Sequence, residues 1–343
     1  MKKNTLFLVF MIFANVVFTA NAGVLPELIK PDSLHIDDDR MFITEGIHIY
    51  IYSLKELKLL KKFGKEGEGP REFKKMPLPY LPSLFIHLKP DQIFVNSMGK
   101  VSFFTREGTY IKEMRNPGLF RMMIPFGEKY IGFGIIQEDK IQYFTYNLHD
   151  SDFNKEKEVY RVKSPIQEGR KIDPLIITRI KDIFFRYVHK RRFFLPTVDG
   201  IIHVFDENGK EVTVIKPDYR RQEITPDLER RFDTFFSTDV RFKVNYNNDK
   251  SANRIEFPDY LPLLRDYRVA DGKVYVISNK WKDGKFESFI FDMMGNLLKK
   301  LWLPLVEKDM IEFFPFTITE GKIHQLVENE NEEQWELHVT EIK

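Results

Sequence analysis

Beyond the first two dozen residues the chain is written in short runs of alternating apolar and polar positions, each about the length of a strand. The best-preserved element is an apolar strand, a polar turn containing Gly, and a second strand. It reads Val101-Ser-Phe-Phe-Thr-Arg-Glu-Gly108-Thr-Tyr-Ile, then Ile202-His-Val-Phe-Asp-Glu-Asn-Gly209-Lys-Glu-Val, then Ser288-Phe-Ile-Phe-Asp-Met-Met-Gly295-Asn-Leu-Leu. Each Gly falls where a tight hairpin needs positive φ, a conformation that costs any residue with a Cβ. Upstream stands another strand with a shared opening, as in Asp91-Gln-Ile-Phe-Val, Asp271-Gly-Lys-Val-Tyr-Val and Glu320-Gly-Lys-Ile-His, with weaker copies at Asp39 and Glu128.

Aligning the hairpins puts the third strand of each unit near Tyr52, Phe104, Tyr146, Phe205, Phe291 and Val339. Four-stranded units recurring at about 40 to 50 residues can bury their sheet faces only against one another, which predicts an all-β, six-bladed β-propeller. The last unit runs through Phe316–Thr319, Lys322–Val327 and Trp335–Ile342 and then the sequence stops, one strand short. Val24–Lys30 have no place in the first unit, so they are expected to supply the missing outer strand and close the ring. Two insertions break the pattern, at Ser164–Thr178 and Tyr219–Tyr260. In the second, Thr225-Pro226-Asp227 reads as an N-cap, a proline at the first helical position and an acidic first turn, predicting a short helix through Phe235 between blades 4 and 5.

The N-terminus carries Lys2 and Lys3, an apolar run from Leu6 to Phe18, and small residues at Ala20 and Ala22 in an Ala-x-Ala cleavage pattern. Residues 1–22 are therefore expected to be a signal peptide and residues 23–343 a single domain. The run is shorter than the roughly 20 residues a membrane helix needs, and the mature chain has no later stretch of that kind. Cysteine is absent, which excludes disulfides, thiolate metal sites, a cysteine nucleophile and lipoprotein acylation, and leaves stability to packing. A periplasmic or secreted monomer is the expectation. Net charge is only +2 and the signs are mixed, so nothing points to nucleic acid. Aromatic residues make up 14% of the chain, and such flat side chains suit the space between stacked sheets.

Phe63-Gly-Lys-Glu-Gly-Glu-Gly-Pro-Arg-Glu-Phe73 resembles the G-x-G-E-G-P-G-E-F segment of bacterial six-bladed propeller proteins of the NHL-like, TolB-like type, departing from it at Arg71. Phe257-Pro-Asp-Tyr-Leu-Pro262 looks like a second segment of that family. The resemblance implies the fold rather than an activity. The Gly-rich segment lacks the ending of a phosphate loop and leads into a strand, so it reads as a tight connection between blades.

No chemistry-bearing motif stands out. The basic run Arg186–Arg192 reads as a solvated edge or turn, and the acidic runs Asp37–Asp39 and Glu328–Glu333 as hairpins without calcium-loop spacing. The histidines are scattered, and no nucleophile elbow occurs. No metal or cofactor is expected. A binding or scaffolding propeller without catalysis is favoured, serving a protein partner or small anionic ligand at the channel mouth. The alternative is a lactonase-like hydrolase or lyase using a divalent metal in the channel. Segments crossing between blades end near Arg71, Glu72, Arg121, Lys171, Tyr260 and Arg265, whose mostly cationic side chains are expected to converge on one funnel and hold a carboxylate.

Overall fold

A computed structural model describes residues 20–116, 122–164, 171–176 and 187–343. Six four-stranded antiparallel sheets follow one another along the chain, each running from an inner to an outer strand. Blade 1 comprises Ser33–Asp37, Arg40–Glu45, His48–Ser53 and Leu59–Phe63. Blade 2 spans Phe85–Leu88 to Tyr110–Arg115, blade 3 Met123–Phe126 to Lys155–Lys163, and blade 4 Tyr187–His189 to Glu211–Ile215. Blade 5 spans Leu264–Ala270 to Leu297–Leu303, and blade 6 begins at Phe316–Thr319. First strands of neighbouring blades approach one another and define a central channel. The expected third-strand positions Tyr52, Phe104, Tyr146, Phe205, Phe291 and Val339 all fall in the third strand of their sheet.

The hairpins to the outer strands of blades 4 and 5 repeat one local solution. Asp206 Oδ1 accepts the N–H groups of Asn208 and Lys210, and Asp292 Oδ1 those of Met294 and Asn296, turns that Gly209 and Gly295 complete at φ 65° and 87°. Blade 3 builds the same turn on Asp150 with Phe153 at φ 66°, which hid it from a search for Gly. Phe153 is nonetheless buried against Tyr130, ring centroids 4.8 Å apart, and that burial offsets the strained backbone.

Blade faces meet through large side chains. Phe42, Ile49 and Ile51 of blade 1 pack against Ile86, Ile93 and Phe104 of blade 2. Phe194 and Val204 of blade 4 meet Tyr267, Val276 and Phe289 of blade 5. The Gly-rich segment is a wedge in the outer rim of this stack. Lys65–Glu66 pair in parallel with Glu72–Phe73, and Phe73 is fully buried between blades 1 and 2. A Cβ on Gly64 would lie 2.2 Å from the Ile47 carbonyl oxygen, so this connection tolerates no side chain there.

An N-terminal strand does close the ring, but four residues earlier than the sequence suggested. Ala20–Val24 pair antiparallel with the third strand of blade 6, Gln334–Glu341, from Ala20↔Val339 to Val24↔Glu336, and Leu25 N–H donates to Trp335 O at 2.8 Å. Pro26 follows, has no N–H to offer, and ends the pairing. Residues beyond it form a buckle instead. Leu25 and Leu28 are buried beside Trp335, the Trp335 indole donates to Ile29 O at 2.9 Å, and Glu45 accepts the Ile29 N–H at 2.7 Å. A chain beginning at Gly23 keeps the pairs at Gly23 and Val24.

Loss of one buried leucine costs about 2–5 kcal/mol. A chain begun after Leu25 should therefore melt at least about 4 °C below one begun at Gly23 and aggregate through its exposed edge. Equal melting temperatures in a thermal scan would show that the closing strand contributes nothing.

Candidate functional site

Equivalent positions on the innermost strands place His35, His87, Ile124, Tyr187, Arg268 and Thr317 opposite Phe42, Phe94, Ile131, Phe194, Tyr275 and His324 of the second strands. This tier of the channel is polar on most blades. Its centre of charge is on blade 5, where a β-bulge at Arg265 sets two consecutive residues against one partner and re-aims the side chains. Arg268 pairs with Asp266, donates to Tyr267 O at 2.8 Å, and lies 3.8 Å over the Phe316 ring. Burial raises the Asp266 pKa, and pushes the Tyr187 hydroxyl up to about 12. Burial, with help from the Arg268 charge, pushes His35 down to about 4, so its imidazole is neutral at pH 7. His324, buried one strand out, is likewise pushed down to about 4, and its Nδ1 has no partner among the described residues.

A cavity of about 130 Å³ opens beside this tier, lined by Asp32, Ser33, Arg265, Asp266, Arg268 and Glu312 among others. Apart from Asp32, which accepts the Gly46 N–H at 2.7 Å and whose pKa burial raises, its charges are already matched. Arg265 binds Glu307, reaches Asn279 Oδ1 at 3.3 Å, and is sandwiched between Phe286 and Phe313 at 4.9 and 4.6 Å. Glu312 faces Arg241 at 3.3 Å and Lys308 at 3.5 Å.

An aromatic cap covers one mouth of the channel. Two helices, Pro226–Thr238 and Lys243–Ser251, fill the connection between blades 4 and 5. The first is capped by Thr225, whose hydroxyl accepts Leu228 N–H, with proline in its first turn as expected; the second lies past the predicted end at Phe235. Phe232, Phe236, Phe242 and Tyr246 form a small core with Leu175 and Ile311 from other connections. Tyr80, from the connection between blades 1 and 2, stacks on Phe242 with centroids 5.9 Å apart. Those two connections lie half a ring apart, so they touch only by meeting over the axis. Arg241 fastens the cap, bonding Asp239 at 2.8 Å and Asp309 at 2.7 Å while resting 4.9 Å over Phe242.

The expected cationic funnel is not assembled at this mouth; apolar rings occupy it. Arg71 sits at φ 68° with its guanidinium 5.4 Å over Tyr110, on the outermost strand of blade 2. Glu72 accepts Gly69 N–H at 2.9 Å and pairs with Lys65 at 3.2 Å. Lys171 donates to Asn253 O, and Tyr260 is exposed under Arg221 at 5.4 Å. Arg265 is buried on the innermost strand of blade 5. Arg121 lies outside the described residues, as does Arg186 of the basic run. The rest of that run is not a solvated edge: Tyr187–His189 form the innermost strand of blade 4, Lys190 and Arg191 the turn, with Arg191 paired to Glu207, and Arg192 opens the second strand, whose Phe193 and Phe194 are fully buried. Sequence reasoning missed Asp266, Arg268, Arg241 and Asp309. An arginine and an aspartate two apart on an apolar strand, at Asp266 and Arg268, was the available signal.

Among the described residues no three His, Asp or Glu side chains gather in a way that could hold a metal ion, and no helix is long and apolar enough to cross a membrane. No family model matches the sequence, and no curated protein matches it. Solved propellers resemble it in fold. BamB from Moraxella catarrhalis is 9% identical with a TM-score of 0.34, covering 90% of this chain and 71% of that one. Kluyveromyces lactis Hsv2 is 12% identical with a TM-score of 0.38, over 92% and 99%. The Neurospora crassa Pan2 WD40 domain is 9% identical with a TM-score of 0.43, over 91% and 89%. At this distance the likeness assigns no residue a role.

Two outcomes follow from the charges. Replacing Arg241 with Ala leaves Asp309, 14% exposed, without its cation and Glu312 with Lys308 alone, and should cost about 3 kcal/mol. An unchanged denaturant midpoint would show that the cap is fastened otherwise. His35 and His324 are depressed bases, so the unfolded chain binds their protons first and stability should fall as pH drops from 6.5 toward about 4. The loss is roughly 3 kcal/mol per histidine. His35→Gln and His324→Gln should each flatten the fall in melting temperature; parallel curves would refute the assignment.

Proposed function

We propose that the chain is an exported binding or scaffolding propeller without catalysis, acting in the bacterial cell envelope or outside the cell. The observation that supports this most is how the channel's charged groups are used. Asp266 is spent on Arg268, Glu307 on Arg265, and Asp309 and Glu312 on Arg241. Groups tied up in this way hold strands and cap together and are poorly placed to exchange protons with a substrate. The resemblance of the Phe63–Phe73 segment to NHL-like, TolB-like propellers, and the Ala20-x-Ala22 pattern behind an apolar run, support the cell-envelope reading.

Recognition then falls to the exposed loops. The cap and crossing connections present Tyr260 at 41% exposure, with Val240 at 75% in the turn between the helices and Val244 at 65% on the second. Arg221, over Tyr260, and Lys171 stand exposed beside them. A protein partner bearing carboxylates fits this mixture of apolar and cationic groups, with Arg221, 5.4 Å over Tyr260, offering the planar fork that holds a carboxylate.

A photo-crosslinking residue at position 260 in cells, in full-length chain, should capture one defined partner. Arg221→Ala with Lys171→Ala should weaken that capture at least about tenfold without changing the melting temperature. Arg265 is unsuited to this test, because its buried side chain holds the fold. Chelator-sensitive hydrolysis of lactones or esters by the purified protein would overturn the reading in favour of a metal-dependent enzyme.

A further inference from the structure

Met294 stands at the tip of the blade 5 hairpin, 59% exposed, whereas Met41 and Met123 are fully buried. Its backbone is fixed, since its N–H donates to Asp292 Oδ1 at 2.8 Å and its carbonyl accepts Thr213 Oγ1 of blade 4 at 3.0 Å. Arg192, on the second strand of blade 4, donates to Met293 O and turns both terminal nitrogens toward the Met294 sulfur, at 3.7 and 3.6 Å. A thioether is a weak acceptor, so a guanidinium aimed at it is poorly matched. A sulfoxide oxygen in the same place is a polar acceptor that suits it.

We propose that Met294 is a reversible oxidation site for hydrogen peroxide, and that Arg192 captures the sulfoxide across the boundary between blades 4 and 5. The sulfur lone pair attacks one peroxide oxygen; the S–O bond forms as the O–O bond breaks. Hydroxide departs, takes the proton from the transferred oxygen and becomes water, so sulfur is oxidised by two electrons and peroxide reduced by two. The Arg192 charge beside the sulfur steadies the departing hydroxide. Oxidation of a core methionine disrupts packing, but here the product gains a charge-assisted hydrogen bond that spans two blades. Return to the thioether needs a methionine sulfoxide reductase and a dithiol, which supplies two electrons and two protons and becomes a disulfide as the oxygen leaves as water.

The test is limiting hydrogen peroxide added to the full chain, followed by peptide mass mapping and thermal scans. Met294 should gain one oxygen at least about tenfold faster than Met41 or Met123, as exposure dictates. The oxidised protein should melt about 1–3 °C higher, and Met294→Leu should abolish that shift. Arg192→Gln should remove or reverse it, and Arg192→Lys, which keeps the charge and loses the fork, should leave a smaller one. Oxidation of Met294 no faster than the buried methionines overturns the site. A fall in melting temperature of the same size with and without Arg192 overturns the capture.

Discussion

The constraint behind this molecule is that a four-stranded sheet has two faces and no layer of its own to cover them. Every blade is stable only as far as its neighbours supply apolar surface, so each interface is filled by paired sets such as Phe42 and Ile51 against Phe104, or Phe194 against Tyr267 and Phe289. The aromatic richness of the sequence is the material expression of that demand. The ring must also be complete, because a first and last blade left apart would each expose a face and an edge.

Closing the ring brings inner strands near the axis, where polar groups are hard to keep wet. The chain answers in two ways. It neutralises ions locally, with Arg268 against Asp266, and holds His35 uncharged. It also lets connections from opposite sides meet over the axis as a small apolar core, pinned by the ion pairs of Arg241. Buried pairs of this kind add little stability over apolar replacements, yet breaking one is costly, so they act more as locks than as glue.

What the sequence disclosed and what it concealed divide along the range of the interactions. Hairpins are local, and Gly209 or the Asp-Gly of Asp271 and Gly272 declare their turns within four residues. The turn at Phe153 was silent because its driving force is a contact with Tyr130 across the sheet. Closure was legible as a missing strand, while its register was decided by Pro26, one residue whose lack of an N–H outweighed the apolar pattern after it. The cap was illegible for a deeper reason: Tyr80 and Phe242 are separated by most of three blades, and only the ring's geometry makes them neighbours. Arg71 and Arg265 were grouped by their shared position at the ends of connections, but one ends on an outer rim and the other on the innermost strand.

The pairing of Ala20–Val24 with Gln334–Glu341 also sets a clock. All the other blades lie between the two along the chain, so the closing strand waits for every one of them before its partner is in place. Until then the blades can form in sequence but the ring stays open, and the waiting segment is free to be threaded, cut or held by other factors. Pairing with the third strand of blade 6 is therefore the event that commits the ring to its finished shape.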